Sequence, residues 1–310
     1  GGGFVPLAEL VIDHVVPSYK ARALGFHADG DGILDIVTTG TAGFQVHRAV
    51  APGVFRTAED LKEQSSTLQF ESIVEAADAD GDGDADLVSL AGFYSRVLWN
   101  DGHGAFMVGP PLQGIHTSQV GDVEWADLNA DGVLALVWSQ TIKHAIRASL
   151  GDGNGGFQPA APSLAWQYPP TTIAPGDLYA AGFRSVASVS WRAPNLRLLR
   201  GDGQGRFLAP GFGVALPESG AKDVGIGDLS GDGVADVAVT MHQRLHVYEG
   251  LGDGQVQLWY EHVHTGFDRY SGALGLGDFD GDGDLDLVTG ARSVDPGWSA
   301  FLYCWRNDGP

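Results

Sequence analysis

The chain has 310 residues, a formal net charge of -21 and 44% hydrophobic residues, which is the composition of a globular protein and not of an acidic tail. The acidic surplus argues against nucleic acid as a partner, because phosphate backbones are bound through Lys and Arg. The single cysteine excludes internal disulfides, and no stretch reaches the roughly 18 apolar residues that insertion into a membrane requires.

A nine-residue acidic loop recurs along the chain. Its fullest copies carry Asp at positions 1, 3, 5 and 9 and Gly at positions 4 and 6, with an apolar run directly behind. In chain order the copies begin at His27, Asp78, Asp127, Asp177, Asp228 and Asp278, so one begins close to every 50 residues. A steady period of this length predicts a repeat architecture.

Each repeat reads as four short strands. One strand leads into the acidic loop, a second follows it, and a third ends in a turn containing Asp-Gly. A Gly-x-Phe pattern then starts a fourth strand at Phe106, Phe157 and Phe207. Four-stranded units at this spacing are typical of propeller blades. The sequence therefore predicts one all-β domain over residues 1–310, a six-bladed β-propeller of four-stranded blades.

The two ends of the chain predict how this ring closes. The last residues, Arg306-Asn307-Asp308-Gly309, match the turn before a fourth strand, and Gly3-Phe4 matches the start of that strand. We therefore expect the N-terminal strand to complete the last blade and to remove the open sheet edges. Cys304 lies in the strand before this turn and is expected to be a small buried hydrophobe.

Clustered carboxylates at fixed spacing predict calcium sites, because they repel one another unless a hard cation lies among them. Position 7 can add its backbone carbonyl. The predicted ligands of the second, fifth and sixth loops are Asp78, Asp80, Asp82, Asp84 and Asp86; Asp228, Ser230, Asp232, Val234 and Asp236; and Asp278, Asp280, Asp282, Asp284 and Asp286.

The other three loops depart from this pattern. The first has His27 at position 1, a poor ligand for calcium, and keeps Asp29, Asp31, Ile33 and Asp35. The third keeps Asp127, Asn129 and Asp131 but has Ala135 at position 9, so its occupancy is open. The fourth retains only Asp177 and is expected to be empty. We expect three to five Ca2+ ions with a structural role, and weak sites of this kind favour a secreted, extracellular protein.

These motifs resemble the FG-GAP/VCBS repeat of integrin α-chain propellers and of fungal and bacterial propeller lectins. The resemblance covers essentially the whole chain and implies the propeller fold and the calcium loops. Those propellers have seven blades, whereas this chain has six repeats. The geometry of their ligand sites is therefore not transferred to this chain.

Aromatic and polar residues collect in the connections expected on the face opposite the calcium loops. An aromatic ring beside Asp, Asn and Arg is the usual composition of a carbohydrate site. Packing between blades is the competing explanation for each ring. The candidate ligand-binding residues are Tyr94, Arg96, Trp166, Tyr168, Trp191, Arg192, Asn195, Arg269, Tyr270, Asp295 and Trp298.

The sequence therefore predicts a non-catalytic, calcium-stabilised lectin that binds glycans or glycoproteins. No nucleophile elbow, HExxH, Walker or Rossmann pattern is present. An integrin-like protein adhesion module and a polysaccharide-active lyase or hydrolase are the alternatives. The identity of the sugar, the number of sites and the oligomeric state are left open.

Overall fold

A computed structural model describes residues 23–40, 43–51, 54–56, 59–60, 70–91, 94–115, 119–159, 167–208, 211–263, 268–279, 282–293 and 300–307. Within these ranges the protein is all-β and contains no α-helix. No helix in this part of the chain is long and apolar enough to cross a membrane.

The first two sheets lie in the N-terminal part of the chain. The strands of this part are β1 (Ala23–Phe26), β2 (Asp35–Gly40), β3 (Gly43–His47), β4 (Ala49–Ala51), β5 (Val54–Phe55), β6 (Glu59–Asp60), β7 (Phe70–Ala77), β8 (Asp86–Ala91), β9 (Tyr94–Asn100) and β10 (Phe106–Pro111). The first sheet has the order β1-β2-β3-β6 and the second the order β10-β9-β8-β7. A separate pair, β4 and β5, forms a small hairpin.

Four further sheets follow. Their strands are β11 (Val120–Ala126), β12 (Ala135–Gln140), β13 (Ala145–Gly151), β14 (Phe157–Pro159), β15 (Thr172–Gly176), β16 (Ser185–Ser190), β17 (Ala193–Leu199), β18 (Phe212–Ala215), β19 (Asp223–Gly227), β20 (Asp236–Thr240), β21 (Arg244–Gly250), β22 (Val256–Val263), β23 (Asp268–Gly277), β24 (Asp286–Ser293) and β25 (Ala300–Trp305). Strands neighbour one another in chain order, with four strands in the third, fourth and fifth sheets and three described strands in the sixth.

The chain divides into two compact units. One comprises Gly1–Gln119 with Gly151–Gln158, and the other comprises Val120–Leu150 with Pro159–Pro310. In both units the acidic loop joins the first strand of a sheet to the second, as the repeat pattern predicts. The first and second strands pair antiparallel. The residue before the loop faces the loop's position-9 residue in register, as Gly227 and Asp236 do.

The core explains why the second strands lack polar alternation. Every residue of β12, β16 and β20 is buried, so both faces of these strands are covered by other parts of the chain. In the larger unit, Leu196 and Leu198 of the fourth sheet pack in one cluster with Val237 and Val239 of the fifth. In the smaller unit, Val37 and Leu87 join the first two sheets in the same way.

Several details differ from the sequence prediction. Phe207 forms only an isolated bridge with Gly201, and the fourth strand of that sheet begins at Phe212, beyond Pro210, which has no N–H to donate. Glu59–Asp60 is the fourth strand of the first sheet, where no Gly-x-Phe pattern marks it. Cys304, expected to be buried, is exposed. The predicted closing strand at Phe4 lies outside the described residues.

Two asparagines tie consecutive acidic loops together. The side-chain amide of Asn100, at the end of β9, donates to the carbonyl oxygens of Ala28 at 3.0 Å and Ala85 at 3.2 Å. Asn307, after β25, donates to those of Leu229 and Leu285 at 2.7 and 3.2 Å. Each asparagine thus links the loop of its own sheet to the loop of the sheet before it.

Replacing Asn100 with Ala should destabilise the protein. The change leaves two main-chain carbonyls without their donor in a site where Asn100 is 6% exposed, and we expect a loss of about 2 kcal/mol in the free energy of unfolding. Urea titration measures this loss. Asn154→Ala is the control, since Asn154 is exposed and its amide bonds only within its own turn. Equal stability of the two variants would contradict the linking role.

Candidate functional site

The acidic loops share one hydrogen-bonded shape. In five of them the backbone N–H at position 6 donates to the second carboxylate oxygen of the position-1 Asp, with distances from 2.7 Å at Gly182 to 3.1 Å at Gly83. Position 4 adopts a left-handed conformation, with φ 81° at Gly81 and 74° at Gly231. Glycine takes this conformation without strain, which explains its place in the motif.

The second loop brings its carboxylates together as a metal site requires. One oxygen atom from each of Asp78, Asp80 and Asp86 lies within 4.8 Å of the others. Oxygens about 2.3 to 2.6 Å from one calcium ion are at most about 5 Å apart, so this spacing is within the range of a shared ion. Burial and the negative charge of Asp82 raise the pKa of the Asp80 carboxyl. The donor set, all hard oxygen, fits calcium.

The position-9 carboxylate differs from the others because it is buried. Asp86 accepts hydrogen bonds from the N–H groups of Ala79 at 3.0 Å and Asn100 at 2.9 Å. Burial raises its pKa to about 6, although these two donors oppose the shift. The equivalent residues with the same bonding are Asp35, Asp236 and Asp286. Position 9 therefore joins its own loop to the turn that ends the third strand.

The fifth and first loops contain hydrogen bonds of the same kind. In the fifth, Asp228 accepts from Gly231 and Gly233, and Asp232 accepts from Val234. In the first, the His27 ring contacts the carbonyl oxygen of Ile33 at 3.2 Å, and Ile33 donates its N–H to Asp31. Asp29 accepts from the N–H of Asp31 at 3.4 Å. Calcium occupancy of these loops stays a prediction.

The third and fourth loops keep the shape with fewer ligands. The amide of Asn129 donates to Asp131, and Ser185 replaces the position-9 carboxylate as acceptor for the N–H of Gly201. Position 4 is Ala130 in one loop and Ala180 in the other, with φ values of 60° and 47°. In the sixth loop, Asp282 accepts from Asp284, while Asp280 lies outside the described residues.

A crevice at the opposite end of the fourth sheet brings two predicted ligand residues together. It is lined by Tyr168, Pro170, Ser188, Val189, Ser190, Asn195 and Arg197. Tyr168, which precedes β15, is 38% exposed, and Asn195 lies in β17. The acidic loop precedes Ser185 at one end of β16, whereas Ser190 ends the strand at the crevice. The crevice and the fourth loop thus lie at opposite ends of one strand.

An aromatic and cationic pair follows Ser190, which lines this crevice. Trp191 follows Ser190 directly and is 52% exposed, and the Arg192 guanidinium lies 4.5 Å from the centre of its ring. The N–H of Arg192 donates to the Ser190 hydroxyl at 3.3 Å. One ring face is therefore covered by a cation, in a geometry typical of a cation-π contact.

The other predicted ligand residues are not brought to this crevice. Arg96 lies in β9, partly buried, and its guanidinium donates to the Gly109 carbonyl oxygen at 2.7 Å. Tyr94 is also in β9, and Arg269 and Tyr270 are in β23 and not in a connection as expected. Trp166, Asp295 and Trp298 lie outside the described residues.

Sequence reasoning missed Arg197 and Ser190. A signal for Arg197 exists, because an arginine stands four residues before the Asn-Asp-Gly or Gly-Asp-Gly turn in three consecutive repeats, at Arg96, Arg147 and Arg197. Arg147 donates through its Nε to the side chain of Gln140. Ser190 carries no such pattern.

Comparison with known proteins identifies the repeat and the fold. A family model described as an FG-GAP-like repeat matches residues 28–89 and 228–289, so the chain contains FG-GAP-like repeats. No curated protein sequence gives a significant match.

Solved structures match nearly the whole chain. A lectin of Agrocybe aegerita, described as specifically recognising non-reducing terminal N-acetylglucosamine, is 20% identical over 93% of this chain and 81% of its own, with a TM-score of 0.64. A functionally unknown protein of Desulfotomaculum acetoxidans is 10% identical over 88% of this chain and 86% of its own, with a TM-score of 0.54. Together with the six sheets, this likeness confirms the all-β, six-bladed propeller class.

Calcium removal should lower the melting temperature. The variant Asp80→Asn distinguishes the effect of the ion from the effect of the loop itself. With calcium, the variant loses a ligand and should melt below the native protein. With a chelator, it should melt at the same temperature or higher, because the change relieves repulsion among Asp78, Asp80 and Asp86. Asp177→Asn, in the loop with one carboxylate, should leave the chelator-induced shift unchanged. A chelator without effect on the native protein would contradict the prediction.

Calcium binding to the second loop should weaken as the pH falls from 7 to 5. Without the ion, the raised pKa means that Asp86 is protonated below about pH 6. The protonated group contributes to the free energy of unfolding in full below about pH 4, and this contribution is lost as the pH rises through 6. Calcium needs the ionised form, so its affinity should fall up to about tenfold per pH unit below 6. Calorimetric titration with calcium at pH 7 and pH 5 measures the two affinities, with Asp80→Asn as the reference variant. Equal calcium affinities at the two pH values would contradict the prediction.

Proposed function

We propose that this chain, a propeller that contains FG-GAP-like repeats, is a carbohydrate-binding protein whose sugar site lies on the face opposite the acidic loops. The observation that carries the proposal is one end of the fourth sheet, where Tyr168, Ser190 and Asn195 line a small crevice and the half-exposed Trp191 follows Ser190 directly along the chain. Such a site offers an apolar ring for the C–H face of a sugar and polar groups for its hydroxyls.

The composition of the crevice favours a sugar over a protein segment. It is narrow, and hydroxyl, amide and guanidinium groups line it alongside two apolar residues, Pro170 and Val189. A protein-binding hot spot is typically a broad apolar patch around a buried aromatic or Arg anchor. The crevice has a volume of about 10 Å³, room for one water molecule, so a sugar would lie across its mouth and reach it with single hydroxyl groups. The likeness of the whole chain to a lectin fold is compatible with this reading.

We further propose that calcium has a structural role and that the protein acts outside the cell. The carboxylate oxygens of the second loop lie close enough together to share one ion, and the buried Asp86 ties that loop to the neighbouring turn. An ion surrounded by protein oxygens offers no open position for a substrate, so no catalytic step is assigned to it. Sites of this exposed type fill at the calcium concentrations found outside cells.

A glycan array tests the proposal, and Trp191→Ala locates the site. Saturable binding to a defined glycan class is expected, and the variant should weaken it about tenfold or more through the lost ring contact. The melting temperature should stay within a few degrees of native, because Trp191 is half exposed.

Trp259→Ala is the matched control. Trp259 is 51% exposed, almost the same fraction as Trp191, but lies in β22 of the fifth sheet. It should leave glycan binding unchanged. Silence across the array would refute the lectin and favour a protein partner, and release of new reducing ends or unsaturated sugars from a polysaccharide would favour an enzyme. A melting temperature of Trp191→Ala well below that of the native protein would indicate that this ring packs in the core and does not bind a ligand.

A further inference from the structure

We propose that an apolar cavity between the fifth and sixth sheets is a docking groove for residues 3–8 of this same chain, with the Phe4 side chain as its occupant. The cavity has a volume of about 440 Å³. The sequence predicts only that an N-terminal strand completes the last sheet, whereas the cavity gives this strand a place and a register. The inference goes beyond the proposed function, because the cavity shares no lining residue with the crevice of the fourth sheet.

In the second sheet the corresponding space is filled by a phenylalanine. Phe106 begins the fourth strand, β10, and faces Asn100 at the end of the third. Its exposed fraction is 4%, and it packs in one cluster with residues of the first and second repeats, among them Ala28, Val46, Leu87 and Leu98. A large apolar side chain at the first position of the fourth strand thus packs between two sheets.

Two of the four positions around Phe106 belong to acidic loops, and their equivalents line the cavity. Position 2 of the loop is Ala28 in the first repeat and Leu229 in the fifth. The residue after position 9 is Leu87 in the second repeat and Leu287 in the sixth. Leu229 and Leu287 both line the cavity.

The other two positions belong to third strands, and their equivalents line the cavity as well. These strands align through the N–H group that donates to the position-9 carboxylate, which is that of Ala49, Asn100, Gly250 and Asn307. Counted back from these residues, Val46 corresponds to Val247 and Leu98 to Trp305. Val247 and Trp305 line the cavity. The cavity therefore occupies the place that Phe106 takes in the second sheet.

The first residues of the chain carry the matching sequence. Gly2-Gly3-Phe4 repeats the Gly-x-Phe pattern of Gly104-Ala105-Phe106, and residues 1–8 have no charged side chain. Such a segment suits a groove with mainly apolar walls. β25 is the last described strand of the sixth sheet and can pair with a further strand along its free side.

The second and fifth sheets define the register. In the fifth, Val256, Gln257 and Leu258 face the last three residues of β21, and Trp259 is an extra residue before pairing resumes at Tyr260. In the second, the first three residues of β10 face the last three of β9, and one extra residue also follows. In the sixth sheet, the same register makes Leu7 the extra residue. The expected pairs are Phe4 with Asn307, Val5 with Arg306, Pro6 with Trp305 and Ala8 with Cys304.

This register accommodates Pro6. In the turn of the second sheet, the Asp101 N–H donates to the Ala105 carbonyl oxygen at 3.1 Å. Because bonded and non-bonded pairs alternate in an antiparallel ladder, Val108 belongs to a non-bonded pair and its N–H points away from β9. Pro6 stands at the position of Val108 and loses no ladder hydrogen bond there.

An engineered disulfide in the full chain tests the register. Cys304 is the single cysteine, so Ala8→Cys gives it one partner. Facing residues of antiparallel strands have Cα atoms about 4.5 to 5.5 Å apart, which a disulfide spans. We expect oxidation to join the two cysteines within one molecule, as seen by peptide mass spectrometry and non-reducing electrophoresis. Glu9→Cys is the control and should stay reduced, because its side chain points to the opposite face.

A second variant tests the occupant. Phe4→Ala should lower the melting temperature by about 5 °C or more, because it removes a buried aromatic ring. Val5→Ala is the matched control and should change the melting temperature by no more than about 2 °C. The equivalent of Val5 in the second sheet is Met107, which is 67% exposed.

Each outcome decides the inference. Absence of the disulfide in Ala8→Cys, or equal melting temperatures of Phe4→Ala and the native protein, overturns it. A disulfide that joins two molecules shows that a second copy supplies the strand, and it also overturns the inference. Glycan binding that is lost in Trp259→Ala but kept in Trp191→Ala would make the cavity a sugar site, since Trp259 lines it. Glycan binding that depends on Trp191 leaves the proposed function intact whatever occupies the cavity.

Discussion

The buried carboxylate at position 9 of the acidic loop is the interaction on which each complete blade depends. Asp86 and Asp236 are fully buried, and each accepts main-chain N–H groups from two separate segments, its own loop and the turn after the third strand. A buried acceptor of this kind is costly to leave unpaired. It therefore fixes both segments at once, and it does so between residues 14 apart in sequence.

The two ends of each blade differ in how strongly hydrogen bonds restrain them. At the loop end, hydrogen bonds hold the connections between strands, and Asn100 and Asn307 extend the restraint to the preceding loop. At the opposite end the same second strand runs out into a short turn, such as Trp191 and Arg192 after Ser190. Side chains there are free to vary because the strand positions are already set. The hydrogen-bonded loop end thus leaves the connections at the opposite end free to differ from sheet to sheet.

The repeat carried most of the fold information in the sequence. The period, the strand before and after each loop, and the turns at Phe106 and Phe157 all match the structure, because each is a local pattern that backbone sterics enforce. Exposure was harder to predict. Cys304 was expected to be buried from its apolar neighbours alone, but exposure depends on which strand covers β25, and a local pattern does not contain that information.

The binding candidates show the same limit. Tyr168 and Asn195 were both singled out for composition, yet only the fold reveals that they share a crevice with Arg197, which comes from a strand interior and not from a loop. Tyr94, Arg269 and Tyr270 were assigned to connections and lie in strands, because the strand ends extend further than the apolar pattern does. Convergence of side chains from several elements is a tertiary property, so single-chain patterns locate residues without grouping them.

The degenerate loops explain what the extra carboxylates are for. The third and fourth loops keep the fold of the others, with Gly132 and Gly182 donating to the position-1 Asp, although they lack carboxylates at position 9 and, in the fourth, at positions 3 and 5. Ala130 and Ala180 hold left-handed conformations that cost about 1 kcal/mol relative to Gly, and the loop shape persists. One Asp therefore suffices for the turn. In the second loop Asp80, Asp82 and Asp86 also accept backbone N–H groups, but one Asp is enough for the turn, so the repulsion that they add to an ion-free loop is the physical reason to predict a cation there.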